Sequence, residues 1–222
     1  MSRVIPTILT TDLEEIKEKL VRLQGLVDWI HLDIMDGRFV ANKTAQLKDL
    51  AGLKRLKKFK IGAHLMVKNP IKLVDQAKKL GIKRLVGQIE MMADQQEFIQ
   101  TVKAKKMTAG LALDLETKIK EIKPRLLNKI EFVLLMMVKA GWGGQKLQKK
   151  RLEELKRLKQ IKEKNNFNFQ IAVDGGVNFQ TIKSCQKAGA EIFAVGSAVW
   201  KSKNIGKAIR ELNKLATGKN GS

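Results

Sequence analysis

A short apolar or β-branched run followed by an amphipathic stretch recurs eight times along the chain's 222 residues. The apolar runs are Val4–Leu9, Trp29–Ile34, Lys60–Met66, Arg84–Ile89, Thr108–Leu113, Glu131–Val138, Phe169–Val173 and Ile192–Val195. Stretches with helical spacing are 12–24, 47–57, 70–80, 94–105, 118–123, 149–164, 179–188 and 205–216. Continuously apolar runs suit strands buried on both faces, and helical crossovers between successive strands make those strands parallel. Eight units in strict order predict one α/β domain over residues 1–217, a single (β/α)8 TIM-type barrel with eight parallel strands. An open doubly wound sheet is the alternative. Eight units close a barrel without remainder, and the polar residues fall where a barrel would use them.

Local signals mark several boundaries. Thr10 or Thr11 is placed to cap the first helix, with Glu14 at capping-box spacing from Thr11. Pro70 suits a first helical position after Asn69. Gly25, Gly81 and Gly189 each follow a helical stretch, as C′ glycines do.

Composition narrows the class of protein. The length supports one sizeable core, and 44% hydrophobic residues argue against wholesale disorder. Apolar stretches such as Phe132–Val138 fall far short of the roughly 20 residues a membrane helix needs. The N-terminal segment lacks a signal-peptide layout, because acidic residues follow a short apolar run at once. Cys185 is the one cysteine, so no intramolecular disulfide forms and a cytoplasmic setting is expected. The charge is lopsided, with 44 Lys+Arg against 22 Asp+Glu and a formal net charge of +22. Such a field attracts polyanions non-specifically. A dedicated nucleic-acid site would want aromatic platforms or a recognised module. The chain has no Tyr and 5% aromatic residues, so a Lys-rich solvated surface is the plainer reading. Residues 218–222 read as a flexible tail.

Parallel barrels carry their chemistry at the C-terminal ends of the strands. His31 and Asp33 stand two apart on one predicted strand, so both side chains point into the lumen. His64 lies near the end of the third strand and Asp174 at the end of the seventh, and His31 and His64 are the only histidines. Inward-facing imidazoles and carboxylates are costly unless paired or metal-bound. Either histidine alone reads as a partner of a barrel carboxylate. All four together read as a site for one divalent ion, Zn, Mn, Fe or Co. Gly141, Gly143, Gly144 and Gln145 follow the sixth strand, Gly175 and Gly176 the seventh, and Gly196 and Ser197 the eighth. Glycine-rich segments on late barrel loops let backbone N–H groups approach a phosphate. Met35, Met66 and Met136 at strand ends read either as core filler or as a dry lining for a reactive intermediate.

These segments resemble the ribulose-phosphate 3-epimerase family. The resemblance runs from Pro6 to Trp200. It rests on Pro6-Thr7-Ile8-Leu9, His31-Leu32-Asp33-Ile34-Met35-Asp36-Gly37, His64-Leu65-Met66-Val67, Gly141-Trp142-Gly143-Gly144-Gln145, Val173-Asp174-Gly175-Gly176 and Gly196-Ser197-Ala198. It implies metal binding by His31, Asp33, His64 and Asp174, with the two aspartates also acting as the acid/base pair. It further implies substrate contact by the Thr7 hydroxyl and phosphate binding by the late glycine segments. The substrate it implies is a small sugar phosphate, and the assembly a homo-oligomer, a dimer or hexamer. The chain departs from the family pattern at several places. Thr7 stands for the usual Ser, and Gln88 for a usual His. Lys139-Ala140 replaces Asn-Pro, Arg38 and Ala41 replace His and Pro, and Leu115 stands where Pro is common. The changes at Gln88, Lys139 and Ala140 are expected at the rim. A six-carbon ketose phosphate and a polyanion-binding scaffold with weak catalysis are the alternatives. A Schiff-base lyase would need a lumenal Lys at a strand end, which neither Lys60 nor Lys139 supplies.

Overall fold

A computed structural model describes residues 3–218. Its strands are β1 (Arg3–Ile8), β2 (Trp29–Met35), β3 (Lys60–Met66), β4 (Arg84–Gln88), β5 (Thr108–Leu113), β6 (Phe132–Met136), β7 (Gln170–Asp174) and β8 (Ile192–Val195). Each strand pairs in parallel with its neighbour, and β8 returns to β1, so the sheet closes in sequence order. This is the (β/α)8 barrel that the alternation predicts.

The helices are α1 (Leu13–Leu23), α2 (Val74–Lys79), α3 (Gln95–Ala104), α4 (Arg151–Lys164), α5 (Ile182–Ala188), α6 (Ser197–Trp200) and α7 (Ile205–Ala216). Two predicted helices are not α-helical. Segment 47–57 forms 3-10 turns at Asp49–Gly52 and Lys54–Lys58, and segment 118–123 forms one at Ile119–Glu121. Gly52 weakens the first, and Pro124 disfavours helical geometry at the residue before it in the second. Both still bury apolar side chains, through Leu50, Leu56 and Ile119. The cap of α1 also differs from expectation. Asp12 is the N-cap and its carboxylate accepts from the backbone N–H of Glu14 and Glu15, while Thr10 Oγ1 accepts from the Asp12 N–H. Asp12 outcompetes the threonines because its carboxylate also meets the positive end of the helix dipole. Gly25, Gly81 and Gly189 all take positive φ, as the C′ reading requires.

Apolar packing falls into two layers. Ile30, Leu32 and Ile34 of β2 belong to the shell between barrel and helices, while Met35 joins Ile5, Met66, Val86, Leu134 and Ile192 in the lumen. The period of two along each strand sorts the residues in this way. At the N-terminal end of the barrel the Arg84 guanidinium lies 4.0 Å from the Trp29 ring centre, and that of Arg3 lies 5.9 Å from it. Strand register sets the opposite end. Thr7 is level with His31, Asp33 with His64, Met35 with Met66, and Met136 with Asp174.

Among the described residues, no helix is long and apolar enough to cross a membrane. Of the tail expected at 218–222, Gly218 lies in a turn after α7, and residues 219–222 lie outside the described residues.

Candidate metal centre and active site

The register brings His31, Asp33, His64 and Asp174 into one buried group whose candidate ligand atoms all lie within 4.8 Å of one another. His31 Nε2 is 3.3 Å from Asp33 Oδ1 and 3.9 Å from Asp174 Oδ2. His64 Nδ1 is 3.6 Å from Asp33 Oδ1 and 3.8 Å from Asp174 Oδ2. Three of these atoms, His31 Nε2, Asp33 Oδ1 and His64 Nδ1, are buried without a hydrogen-bond partner. Orphaned polar atoms inside a protein are costly. Here they converge on a common point, which fits a cation bound by two nitrogens and two oxygens. Burial opposes ionisation of Asp33, yet His31 and His64 beside it hold its pKa below the ordinary carboxylate value.

Neighbouring polar groups lock the end of β2. Thr44 Oγ1 donates to the Asp33 carbonyl at 2.7 Å and accepts from the Met35 N–H at 3.0 Å. Gln46 Nε2 donates to the Met35 carbonyl at 2.8 Å. Asp36 Oδ2 accepts from the Lys68 N–H, tying the loops after β2 and β3 together. Sequence reasoning missed Thr44 and Gln46, because a Thr or Gln in a loop carries no pattern of its own.

Above the group lies a cavity of about 290 Å3. Thr7, Asp33, Asp174, Met35, Met66 and Met136 line one part of it. Gly141, Gly143, Gly144, Gln145, Gly175, Gly176, Gly196 and Ser197 line another. Every predicted site residue except the histidines therefore borders this space. His64 has no exposed surface, and His31 borders a separate small cavity lower in the lumen. The carboxylates face the mouth and the imidazoles form the floor. Thr7 Oγ1 is buried without a partner. Gly176 sits at φ 66°, and a Cβ there would collide with the backbone of Leu147. The Gln145 amide nitrogen donates to the carbonyls of Lys139 and Trp142, so it braces its own loop.

Sequence reasoning also missed Lys19, Trp200 and Lys201, which line the same cavity. Lys19 Nζ lies 2.6 Å from Glu15 and 5.0 Å from the Trp200 ring centre. Trp200 Nε1 donates to the Thr7 carbonyl at 2.7 Å. The Glu15–Lys19 spacing was visible, but it is common on exposed helices. Two expected rim changes prove to be internal. Gln88 has no exposed surface, because even positions of β4 face the lumen, and Ala140 is buried with its N–H on Asp114 Oδ1. Lys139 is exposed, as expected.

The sequence model of the Ribulose-phosphate 3 epimerase family matches residues 3–200. The chain belongs to the ribulose-phosphate 3-epimerase family. Relatives bearing that name include the cytoplasmic isoform of Oryza sativa subsp. japonica, 34% identical over 98% of this chain and 95% of its own length. The Aquifex aeolicus enzyme is 32% identical over 97% of each chain, and that of Bacillus subtilis 32% identical over 96% and 98%. Among solved structures, KGPDC from Streptococcus mutans matches at a TM-score of 0.73 with 14% identity, covering 100% of both chains. The 3-hexulose-6-phosphate synthase from Salmonella typhimurium matches at 0.69 with 14% identity, covering 99% of this chain and 100% of its own. At that identity the structural likeness shows the shared barrel, while the sequence match places the chain in the epimerase family.

Proposed function

We propose that this chain interconverts D-ribulose 5-phosphate and D-xylulose 5-phosphate by inverting C3. The observation that carries the reading is the pair Asp33 and Asp174, delivered from β2 and β7 to one cavity over two buried imidazoles. Inversion beside a carbonyl needs one group to take the C3 proton and a second to return a proton to the opposite face. Asp33 and Asp174 stand three strand steps apart around the barrel, so a sugar can sit between them. One carboxylate removes the C3 proton, leaving an enediolate, and the other supplies a proton from across the ring of strands. Which aspartate serves which epimer depends on how the sugar lies. A divalent ion, Zn, Fe, Mn or Co, held by His31, Asp33, His64 and Asp174 supplies Lewis-acid stabilisation of the developing negative charge.

The remaining lining suits the same substrate. Met35, Met66 and Met136 keep water from the intermediate. The Thr7 hydroxyl has a free donor for a sugar oxygen. Backbone N–H groups around Gly141, Gly143, Gly144, Gly175, Gly176, Gly196 and Ser197 hold the phosphate, and Lys19 and Lys201 add positive charge nearby. The family resemblance supports a homo-oligomer, a dimer or hexamer, acting on a small sugar phosphate, and the rice relative, a cytoplasmic isoform, supports a cytoplasmic setting.

The test is incubation with ribulose 5-phosphate in deuterated buffer. Deuterium enters C3 as xylulose 5-phosphate forms; chelation stops both, and added metal restores them. A six-carbon ketose phosphate in the same assay checks the pentose assignment. No exchange with metal fully loaded overturns the reading.

A further inference from the structure

We propose that Gln88 is a positioning residue for the metal centre, with its side-chain oxygen accepting from His64 Nε2–H and thereby turning His64 Nδ1 toward the ion. This rests on the metal reading above. Gln88 ends β4, level with Ala112 of β5, and its side chain enters the lumen with no exposure. One amide orientation pairs every donor with an acceptor. It puts the oxygen 3.2 Å from His64 Nε2, and the nitrogen 3.1 Å from the Ala112 carbonyl and 2.8 Å from Glu90 Oε2. The reverse orientation sets nitrogen against nitrogen and oxygen against two oxygens.

A neutral imidazole carries one N–H. If that proton sat on Nδ1, it would point at Asp33 and Asp174 and leave no lone pair for an ion. The Gln88 oxygen can only accept, so it selects the tautomer with the proton on Nε2. Partners of this kind fix the orientation of metal-binding histidines in general. The bonds run further. Glu90 Oε1 accepts from the Asp114 N–H at 2.8 Å, and Asp114 Oδ1 accepts from the Ala140 N–H at 2.9 Å. Arg151 holds the Asp114 carbonyl at 2.8 Å. The chain that orients His64 therefore also anchors Ala140, the residue before Gly141 of the cavity.

Two measurements test this. In long-range 1H–15N spectra of the zinc-loaded chain, His64 is expected to carry its proton on Nε2 and zinc on Nδ1. Zinc affinity is then measured by chelator competition. Gln88→Met keeps the side chain's length, removes the acceptor, and is expected to weaken zinc binding about 10–100-fold. Its metal-free form is expected to melt somewhat lower, because the Ala112 carbonyl and Glu90 Oε2 lose their donor, so affinity is read on the folded variant. Gln88→His returns an acceptor and is expected to recover most of the affinity. Zinc on Nε2 of the parent protein overturns the proposal even if Gln88→Met does not fold. Parent-like affinity in Gln88→Met overturns it while leaving the metal reading intact. A parent chain that takes up no zinc overturns both.

Discussion

In the proposed mechanism Asp33 and Asp174 carry two duties that pull against each other, because a carboxylate bound to a cation is a weaker base. Asp33→Asn and Asp174→Asn are each expected to lower epimerisation by about 10^2–10^4-fold, the range for a lost general acid or base. Exchange at C3 should persist for the epimer that faces the surviving aspartate, in samples matched for metal content. Unchanged turnover in either variant would remove that residue from proton transfer. His64 supplies the pH dependence. Burial pulls its pKa down, but Asp174 and Asp33 carry it up to about 9. An ion must displace that proton, so metal affinity should rise by about tenfold per pH unit up to pH 9 and level off above it. Chelator competition between pH 6 and 10 reads the slope, and a flat profile would contradict it. His31 and Asp33 were legible because a spacing of two on a strand puts both in the lumen. Thr44 and Gln88 were not, since the loop after β2 folds Thr44 back onto the Asp33 carbonyl and the pairing of β3 with β4 brings His64 beside Gln88, neither of which a sequence pattern shows.

At the scale of elements, all eight strands could be read from apolar runs, because each is buried on both faces. The connections between them were less legible. Segments 47–57 and 118–123 have helical spacing, yet they need only one apolar side against the sheet, and a 3-10 turn supplies that in fewer residues. Stacking of Arg84 on Trp29 was likewise invisible, because the two residues lie 55 positions apart on β4 and β2. That stack closes the lower lumen one inward-facing position below His31, and all three residues line the same small cavity. Trp29→Ala should cost about 2–4 kcal/mol of stability through lost packing and cation–π contact. Urea unfolding reads the loss. A parent-like midpoint would show that the floor does not support the barrel.

Over the whole molecule, the +22 charge and the carboxylate centre act at different ranges. Surface lysines raise the local concentration of any anion, whereas only the cavity distinguishes a sugar phosphate. KM for the sugar phosphate should therefore rise several-fold between about 50 and 500 mM salt while kcat changes little. Steady-state kinetics across that series checks it. Sub-micromolar, salt-sensitive nucleic-acid binding would instead favour the polyanion reading. The layering of the centre has a temporal consequence. On the proposed reading, with the imidazoles as floor and the carboxylates at the mouth, a seated sugar would lie across the ion's path to solvent. Substrate should then act as a stopper. Chelator should strip metal from resting protein faster than from protein saturated with sugar phosphate, so a working enzyme keeps its ion longer than an idle one.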